Sequence, residues 1–334
     1  MKIKCLALLL CALALTPGCA LVGLQSAKLS ILVDLDPASA ERTVIVESIT
    51  ADQQGRLYLP DRITGNIFRV EPKAPQPVVV GRVEAREIKG KKVNADASGL
   101  AFNQQGDLFI ATGPFREVVR IRGADLNPQK PGTAETFAAG TEGANGIAFD
   151  KQGNLYVSGG RSGKVYRVGP GGGAAQEFAA IETFTRTLGD GKTQQAIVAN
   201  GLAFDAQGAL YVADTARGAI WKVTVGADGK AGAPALLARS LLLEGADGLA
   251  FDGSGRLWVT ANERNALVTV SADGKVREVA KNDSKGPLEF PSAIAFVGDT
   301  GYVSNFDQAR RDNFALDGKT SIDGIGASIA QITP

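Results

Sequence analysis

The sequence predicts an all-β protein, a six-bladed β-propeller, and three observations predict it. First, a string of the form D-x-x-G-x-L-Y-V recurs along the chain, as in "NGIAFDKQGNLYVSGGRSGKVYRV", "NGLAFDAQGALYVADTARGAIWKV" and "ADGLAFDGSGRLWVTANERNALVTV". Second, its turn glycines, Gly55, Gly106, Gly153, Gly208 and Gly255, recur at roughly the 45–55-residue period of a propeller blade. Third, each unit holds about four short β-branched and aromatic runs of alternating polarity, separated by turn residues, which is the composition of one blade.

The unit around Gly208 illustrates the elements in order. Gly201 to Phe204 is a short apolar inner strand, and a tight turn leads to the second strand, Leu210 to Ala213. A turn containing Arg217 leads to the third, Ala219 to Val223, and a weaker fourth follows. The sixth copy, "PSAIAFVGDTGYVSNF", is shortened. Its strands are Ala293 to Phe296 and Gly301 to Ser304, with a third at Ser328 to Ile332 after a polar excursion. The fourth is expected from "KLSILVDL", Lys28 to Leu35, which closes the ring and removes an open sheet edge. The propeller therefore spans residues 28–334, preceded by a linker at 21–27 and an N-terminal segment at 1–20.

That segment reads "MKIKCLALLLCALALTPGCA": two lysines, an apolar run from Cys5 to Leu15, then small residues. The run is too short for a membrane span, so an export signal is expected, followed by a periplasmic or secreted location. Two endings stand side by side: a lipoprotein signal ending before Cys19, or ordinary cleavage after Ala20. All three cysteines (Cys5, Cys11, Cys19) lie within it, which leaves the domain no disulfide and no thiolate. The chain contains no histidine, so a His-based catalytic relay or metal site is excluded. A net charge of +1 gives no bulk field for a nucleic acid or an anionic membrane; membrane contact is expected only through an anchor on Cys19.

The informative residues open the blades. Eight positions before each turn glycine stand Glu47, Ser98, Asn145, Asn200 and Asp247, and the matching residue of the sixth unit is Ser292. Asn and Asp often begin turns, which would account for any one of them. Glu, however, is depleted in strands, and Glu47 falls in the same register as Asn145, Asn200 and Asp247. Inner strands line the central channel, so these residues converge on the axis. Two carboxylates converging there repel and resist ionising unless a cation sits between them. An all-oxygen set suits a hard divalent ion, Ca2+ first and Mg2+ or Mn2+ next; without His or Cys, a tight structural Zn2+ site is disfavoured.

The order Glu, neutral, Asn, Asn, Asp, neutral across six blades resembles the regucalcin–gluconolactonase family of calcium-dependent lactonases. The local strings agree: "ES" at Glu47, "NG" at Asn145 and Asn200, "DG" at Asp247. The resemblance implies that Glu47, Asn200 and Asp247 hold a divalent cation, with Asn145 contributing directly or through water, and that Asp247 is the general base. The implied activity is hydrolysis of a lactone or related ester by a metal-activated water. Two alternatives remain beside it: a non-catalytic metal-containing binding propeller, and a lyase or synthase on the same scaffold. The sequence departs from the family at Gly143, where sugar-lactone hydrolases commonly carry Arg, and at Ala51, where they carry Trp.

Long insertions at Arg82–Ala97, Glu182–Ala199 and Asp307–Gly324 are expected around the channel mouth as lids or binding loops, with the lysine-rich "REIKGKK" a solvated elaboration. Each turn between second and third strands carries an arginine: Arg62, Arg116, Arg161, Arg217, Arg264 and Arg310. Their registers drift, which favours exposed turn residues, with Arg161 and Arg217 the candidates to reach a substrate carboxylate. A small-molecule substrate or ligand is the expected partner.

Overall fold

The computed structural model describes residues 27–36, 43–189, 191–283, 286–306 and 326–333. The export segment with Cys19, nearly all of the linker, and the Asp307–Gly324 insertion with Arg310 lie outside the described residues. Six antiparallel sheets follow one another along the chain as the blades of a β-propeller. In the fourth blade the strands are Leu202–Phe204, Leu210–Asp214, Ala219–Val223 and Ala235–Arg239, paired in that order from the axis outward. The sixth sheet comprises Pro291–Val297, Thr300–Asn305, Ser328–Thr333 and, outermost, the N-terminal strand Lys28–Asp34. Lys28 pairs with Thr333 and Asp34 with Ser328.

The recurring string has a packing explanation. Each Asp of the turn accepts backbone N–H bonds two and four residues on, as Asp205 does from Gln207 (3.0 Å) and Ala209 (2.8 Å). Its second oxygen takes the phenol of the following Tyr, as in Tyr211 to Asp205 at 3.1 Å, or the indole of Trp258 in the fifth blade. In the second blade the Asp is Asn103 and the aromatic is Phe109, so the residue pair changes together. The same aromatic then meets the Phe of the next blade's inner strand edge-on: Tyr58 with Phe102, Phe109 with Phe149, Tyr156 with Phe204 and Tyr211 with Phe251, at 4.9 to 5.2 Å. Such pairs contribute about 0.5–1.5 kcal/mol each beyond the area they bury. The core is accordingly distributed between blades: Tyr156 and Val165 of the third blade pack with Leu210 and Val212 of the fourth.

Near the axis the backbones themselves touch. A Cβ placed on Gly99 would lie 2.2 Å from the Asn145 carbonyl oxygen, and one on Gly201 would lie 2.2 Å from that of Asp247. Gly146 stands likewise against Asn200, and Gly248 against Ser292 and Ala293. Each is the glycine that follows an opening residue, so each inner strand rests on the opening residue of the next blade. The glycine is missing at the two steps flanking the first blade, where Ser48 and Ala293 occupy the position. There the inner strand shrinks to Thr50–Ala51.

Pairing of inner and second strands slips at this point in several blades, between Ala97 and Leu100, Ala246 and Leu249, and Pro291 and Ala293. The unpaired residues are the opening ones, and such bulges re-aim a side chain out of the sheet. Hydroxyls of the second strand take up the freed N–H groups: Ser158 accepts from Gly146 and Thr260 from Gly248, both at 2.8 Å. Two hairpins extend from the insertions, Arg86–Ile88 with Lys91–Val93 and Thr185–Thr187 with Thr193–Gln195.

Gly201→Ala places a methyl against a carbonyl that cannot swing aside, so it is expected to cost about 1–3 kcal/mol, the usual penalty of overpacking. Gly169→Ala has open space around it and is expected to fall within about 0.5 kcal/mol of wild type. Urea unfolding of the two variants checks the contrast.

Candidate functional site at the channel mouth

The opening residues converge as the register predicts. Glu47, Asn200 and Asp247 line one cavity of about 570 Å³. Glu47, Ser98 and Asn145 line an adjoining cavity of about 610 Å³. The two meet at Glu47, Arg62, Arg161 and Ile197. Ser98 is buried and satisfied by main-chain carbonyls, including that of Asn145 at 3.3 Å. Ser292 is buried on the Ser304 hydroxyl at 3.0 Å. Neither serine presents a free oxygen in the way Asn200 and Asp247 do.

A second ring holds the first. Seven residues beyond each turn glycine stand Arg62, Gly113, Gly160, Thr215 and Asn262, each fifteen residues after an opening residue. The Asn200 amide donates to the Thr215 hydroxyl at 3.0 Å, and that hydroxyl spends its own proton on the Ala246 carbonyl at 2.7 Å. Thr215 can therefore only accept from Asn200, which fixes the amide with its Oδ1 as the free end. Asn262 Nδ2 donates to Asp247 Oδ2 at 3.0 Å and leaves Asp247 Oδ1 without a protein partner. In the second and third blades the same position is glycine, and Gly113 and Gly160 leave the adjoining cavity open.

Arg62 differs from the other described turn arginines. Its guanidinium turns inward: Nη1 donates to Glu47 Oε2, and Nε donates to Asp96 Oδ1 at 2.5 Å. The Phe306 ring lies 5.3 Å from it. Although burial works against its charge, Glu47 and Asp96 hold it protonated. The expectation of an exposed turn residue is wrong for Arg62, because two carboxylates compensate its burial. Arg116 does remain exposed, beside Glu142 at 3.6 Å. Arg161 is exposed at the boundary of both cavities and donates to the Gln195 carbonyl. Arg217, the other candidate for a substrate carboxylate, is committed elsewhere. It binds the fully buried Asp214 at 2.8 Å and the Thr183 carbonyl at 3.1 Å, and lines neither cavity.

Burial raises the Asp247 carboxyl well above its ordinary pKa, and the charge of Glu47 adds to the shift, against the opposing effects of Asn262 and Arg62. Burial raises Glu47 as well, with Arg62 and the Asn145 amide acting in the other direction. Asp247 therefore senses the charge of Glu47 across the channel, whereas the carboxylate that adds to the Glu47 shift is Asp96. Among the described residues no three His, Cys, Asp or Glu side chains gather as a metal cluster. The available donors are two carboxylates and two amides, hard oxygens suited to Ca2+, Mg2+ or Mn2+. Asp247 Oδ1 and Asn200 Oδ1 are both free of protein hydrogen bonds, so the set fits a divalent cation. One feature opposes it: Glu47 is already paired with a guanidinium.

The insertion at Glu182–Ala199 forms a cavity wall through Phe184, Arg186, Ala196 and Ile197, facing Phe290 and Phe306. At Gly143, where the related hydrolases carry Arg, φ is +67° and a Cβ would lie 2.7 Å from the Gly159 carbonyl oxygen. No side chain is accommodated there without moving the backbone.

Residues 190–303 match the family model described as SMP-30/Gluconolactonase/LRE-like region. No curated protein sequence matches the chain. Among solved structures, a gluconolactonase from Xanthomonas campestris superposes with a TM-score of 0.63 at 17% identity, over 93% of this chain and 90% of that one. A calcium-binding regucalcin from Agrobacterium tumefaciens gives 0.57 at 14% identity, over 88% and 91%. A virginiamycin B lyase from Staphylococcus aureus gives 0.54 at 13%, over 92% and 99%. At these identities the structures establish the shared propeller fold. The chain is a six-bladed β-propeller whose residues 190–303 match the model of the SMP-30/Gluconolactonase/LRE-like region, the family that its blade-opening residues resemble.

Proposed function

We propose that the protein is an exported, divalent-cation-dependent hydrolase that opens a lactone or related ester at the channel mouth. The observation that carries this reading is the convergence of Glu47 and Asp247, two buried carboxylates from different blades, with the oriented amide of Asn200 in one cavity. The family match over residues 190–303 supports a lactonase-type activity, and the regucalcin neighbour supports calcium as the first ion to test. Glu47, Asn200 and Asp247 would hold the cation, with Asn145 beside Glu47. When bound it would supply Lewis acidity to a substrate carbonyl and to an attacking water.

The remaining chemistry belongs to this chain. Asp247 accepts the proton as water attacks: Asn262 fixes its carboxylate, and Oδ1 faces the cavity. Phe184, Phe290 and Phe306 exclude water from the apolar part of a substrate, and Arg161 and Arg186 stand at the rim for a polar or anionic part. The blocked position at Gly143 argues against the sugar lactones that the family's arginine would bind. The N-terminal "MKIKCLALLLCALALTPGCA" supports export. If Cys19 carries a lipid, Cys19→Ala releases the protein from the membrane fraction; if cleavage follows Ala20, the variant fractionates as wild type.

In a panel of lactones and aryl esters assayed with and without Ca2+, Mn2+ and Zn2+, turnover is expected to require the cation. Asp247→Asn keeps size and one oxygen ligand but removes the proton acceptor, and should lower turnover by about 10²- to 10⁴-fold while the propeller stays folded. Asn145→Ala should lose less, and Ser98→Ala and Ser292→Ala should leave turnover almost unchanged. Wild-type turnover in Asp247→Asn would remove the assigned base.

Thermal melts give an independent check. A cation bound only by the folded state adds RT ln(1 + [L]/Kd), about 2.7 kcal/mol at a hundredfold excess over Kd. Melting should therefore rise with Ca2+ and fall back with EDTA in wild type but not in the Glu47→Ala/Asp247→Ala double variant. A melting temperature indifferent to both additions counts against the cation.

A further inference from the structure

We infer that Arg62 is a built-in competitor for the cation at Glu47, a tethered guanidinium that sets how tightly, and for how long, a divalent ion is held; this rests on the divalent-cation reading of the site. Three features of the geometry carry it. Arg62 stands in the second ring at the position where Thr215 and Asn262 orient their opening residues, fifteen residues after its own. Thr215 and Asn262 are neutral and leave an oxygen of their partners free. Arg62 instead places a full positive charge on a carboxylate, where a divalent ion would be repelled. The occupied carboxylate is also one of the two contributed by the opening residues, so neutralising it removes half of the negative charge that this ring offers an ion.

Asp96 supplies the other half of the device. It accepts from Arg62 Nε at 2.5 Å while Nη1 holds Glu47, so one guanidinium bridges an inner and an outer carboxylate. Asp96 is substantially exposed, whereas the Glu47 side chain is only 13% accessible. The outer partner therefore lies on the solvent side and offers the guanidinium somewhere to go. When an ion loads, Arg62 gives up Glu47 and keeps Asp96; when the ion leaves, it returns. The missing glycines at Ser48 and Ala293 fall on either side of Glu47, at the two steps of the inner ring without the glycine contact.

Among the described turn arginines, only Arg62 can act in this way. Arg116, Arg161, Arg217 and Arg264 are tied to Glu142, the Gln195 carbonyl, Asp214 and Glu278. None of these four is held by an opening residue. The sequence carries the distinction, since Arg62 alone falls seven residues after its turn glycine.

The test measures Mn2+ and Ca2+ affinity of the full folded chain directly, by calorimetry and by the Mn2+ electron paramagnetic resonance signal, with circular dichroism as the folding control. Arg62→Gln should tighten the Mn2+ Kd about tenfold or more, because a like charge beside the ion is gone. Arg62→Lys, which keeps the charge, should stay near wild type. Asp96→Asn should weaken binding severalfold, by leaving the guanidinium only a neutral acceptor in place of a second carboxylate. In the Arg62→Gln background the same Asp96→Asn change should have much less effect, the non-additivity expected of residues that act through one another. Binding in Arg62→Gln alone, with none in wild type, also supports the proposal. If wild type binds Mn2+ and Arg62→Gln binds it no more tightly, the competitor role is wrong and the cation site stands. If neither binds at millimolar Mn2+, the proposal and the cation reading fall together.

Discussion

The backbone contact between successive inner strands is the constraint on which the rest depends. Gly99, Gly146, Gly201 and Gly248 each admit a carbonyl or a main chain of the next blade into the space a Cβ would fill. Packing at that range locks the heights of the inner strands against one another at four of the six steps, from the second blade round to the sixth, and so sets the opening residues in one ring. Directional order within the ring then comes from the slipped pairing, which turns Ser98, Asp247 and Ser292 out of their sheets. The aromatic pairs farther out join blade to blade by buried area and by their edge-on contacts. A repeat that keeps its apolar residues and varies its first polar one is thus a single device: the repeated part makes a rigid circle, and the varied part writes chemistry onto it.

The chemistry is written in two layers. Opening residues supply oxygens, and the residues fifteen positions later decide what those oxygens are free to do. Thr215 commits the nitrogen of Asn200 and leaves its oxygen; Asn262 commits one oxygen of Asp247 and leaves the other. Arg62 commits Glu47 to an ion pair. The site is therefore asymmetric in charge as well as in residue type, with a prepared half at the fourth and fifth blades and a half at the first blade that is held in check. A buried ion pair stabilises little after desolvation, so the natural weight of the Glu47–Arg62 pair lies in specificity rather than in folding.

Much of this was legible in the sequence because a propeller repeats its register. The turn glycines fixed the blades, and counting back from them found Glu47, Asn145, Asn200 and Asp247 without knowledge of any contact. The same count carried forward reaches Arg62, Thr215 and Asn262, but nothing in their types marks them out. The turn arginines drift in register as a group, which hides the single member that falls in register. Thr215 and Asn262 looked like ordinary turn residues, since nothing in their type reveals that their amides and hydroxyls face an opening residue. Arg217 departs from its expected role for a different reason. Its partner Asp214 is three residues away on the chain, and a buried carboxylate that close takes the guanidinium before any ligand can. The short inner strand of the first blade was not visible either, because Ser48 differs from glycine only by a side chain that matters at one interblade contact.

The central claim is that residues from separate blades form one oxygen site for a divalent cation, and anomalous diffraction from crystals soaked in Mn2+ tests it most directly. The account predicts a single strong peak on the channel axis within roughly 2–2.6 Å of oxygens from Glu47, Asn200 and Asp247, the range of hard-cation ligands, with the Arg62 guanidinium drawn toward Asp96. A peak elsewhere on the protein, or an axis without one in crystals whose Mn2+ content is established, would contradict it.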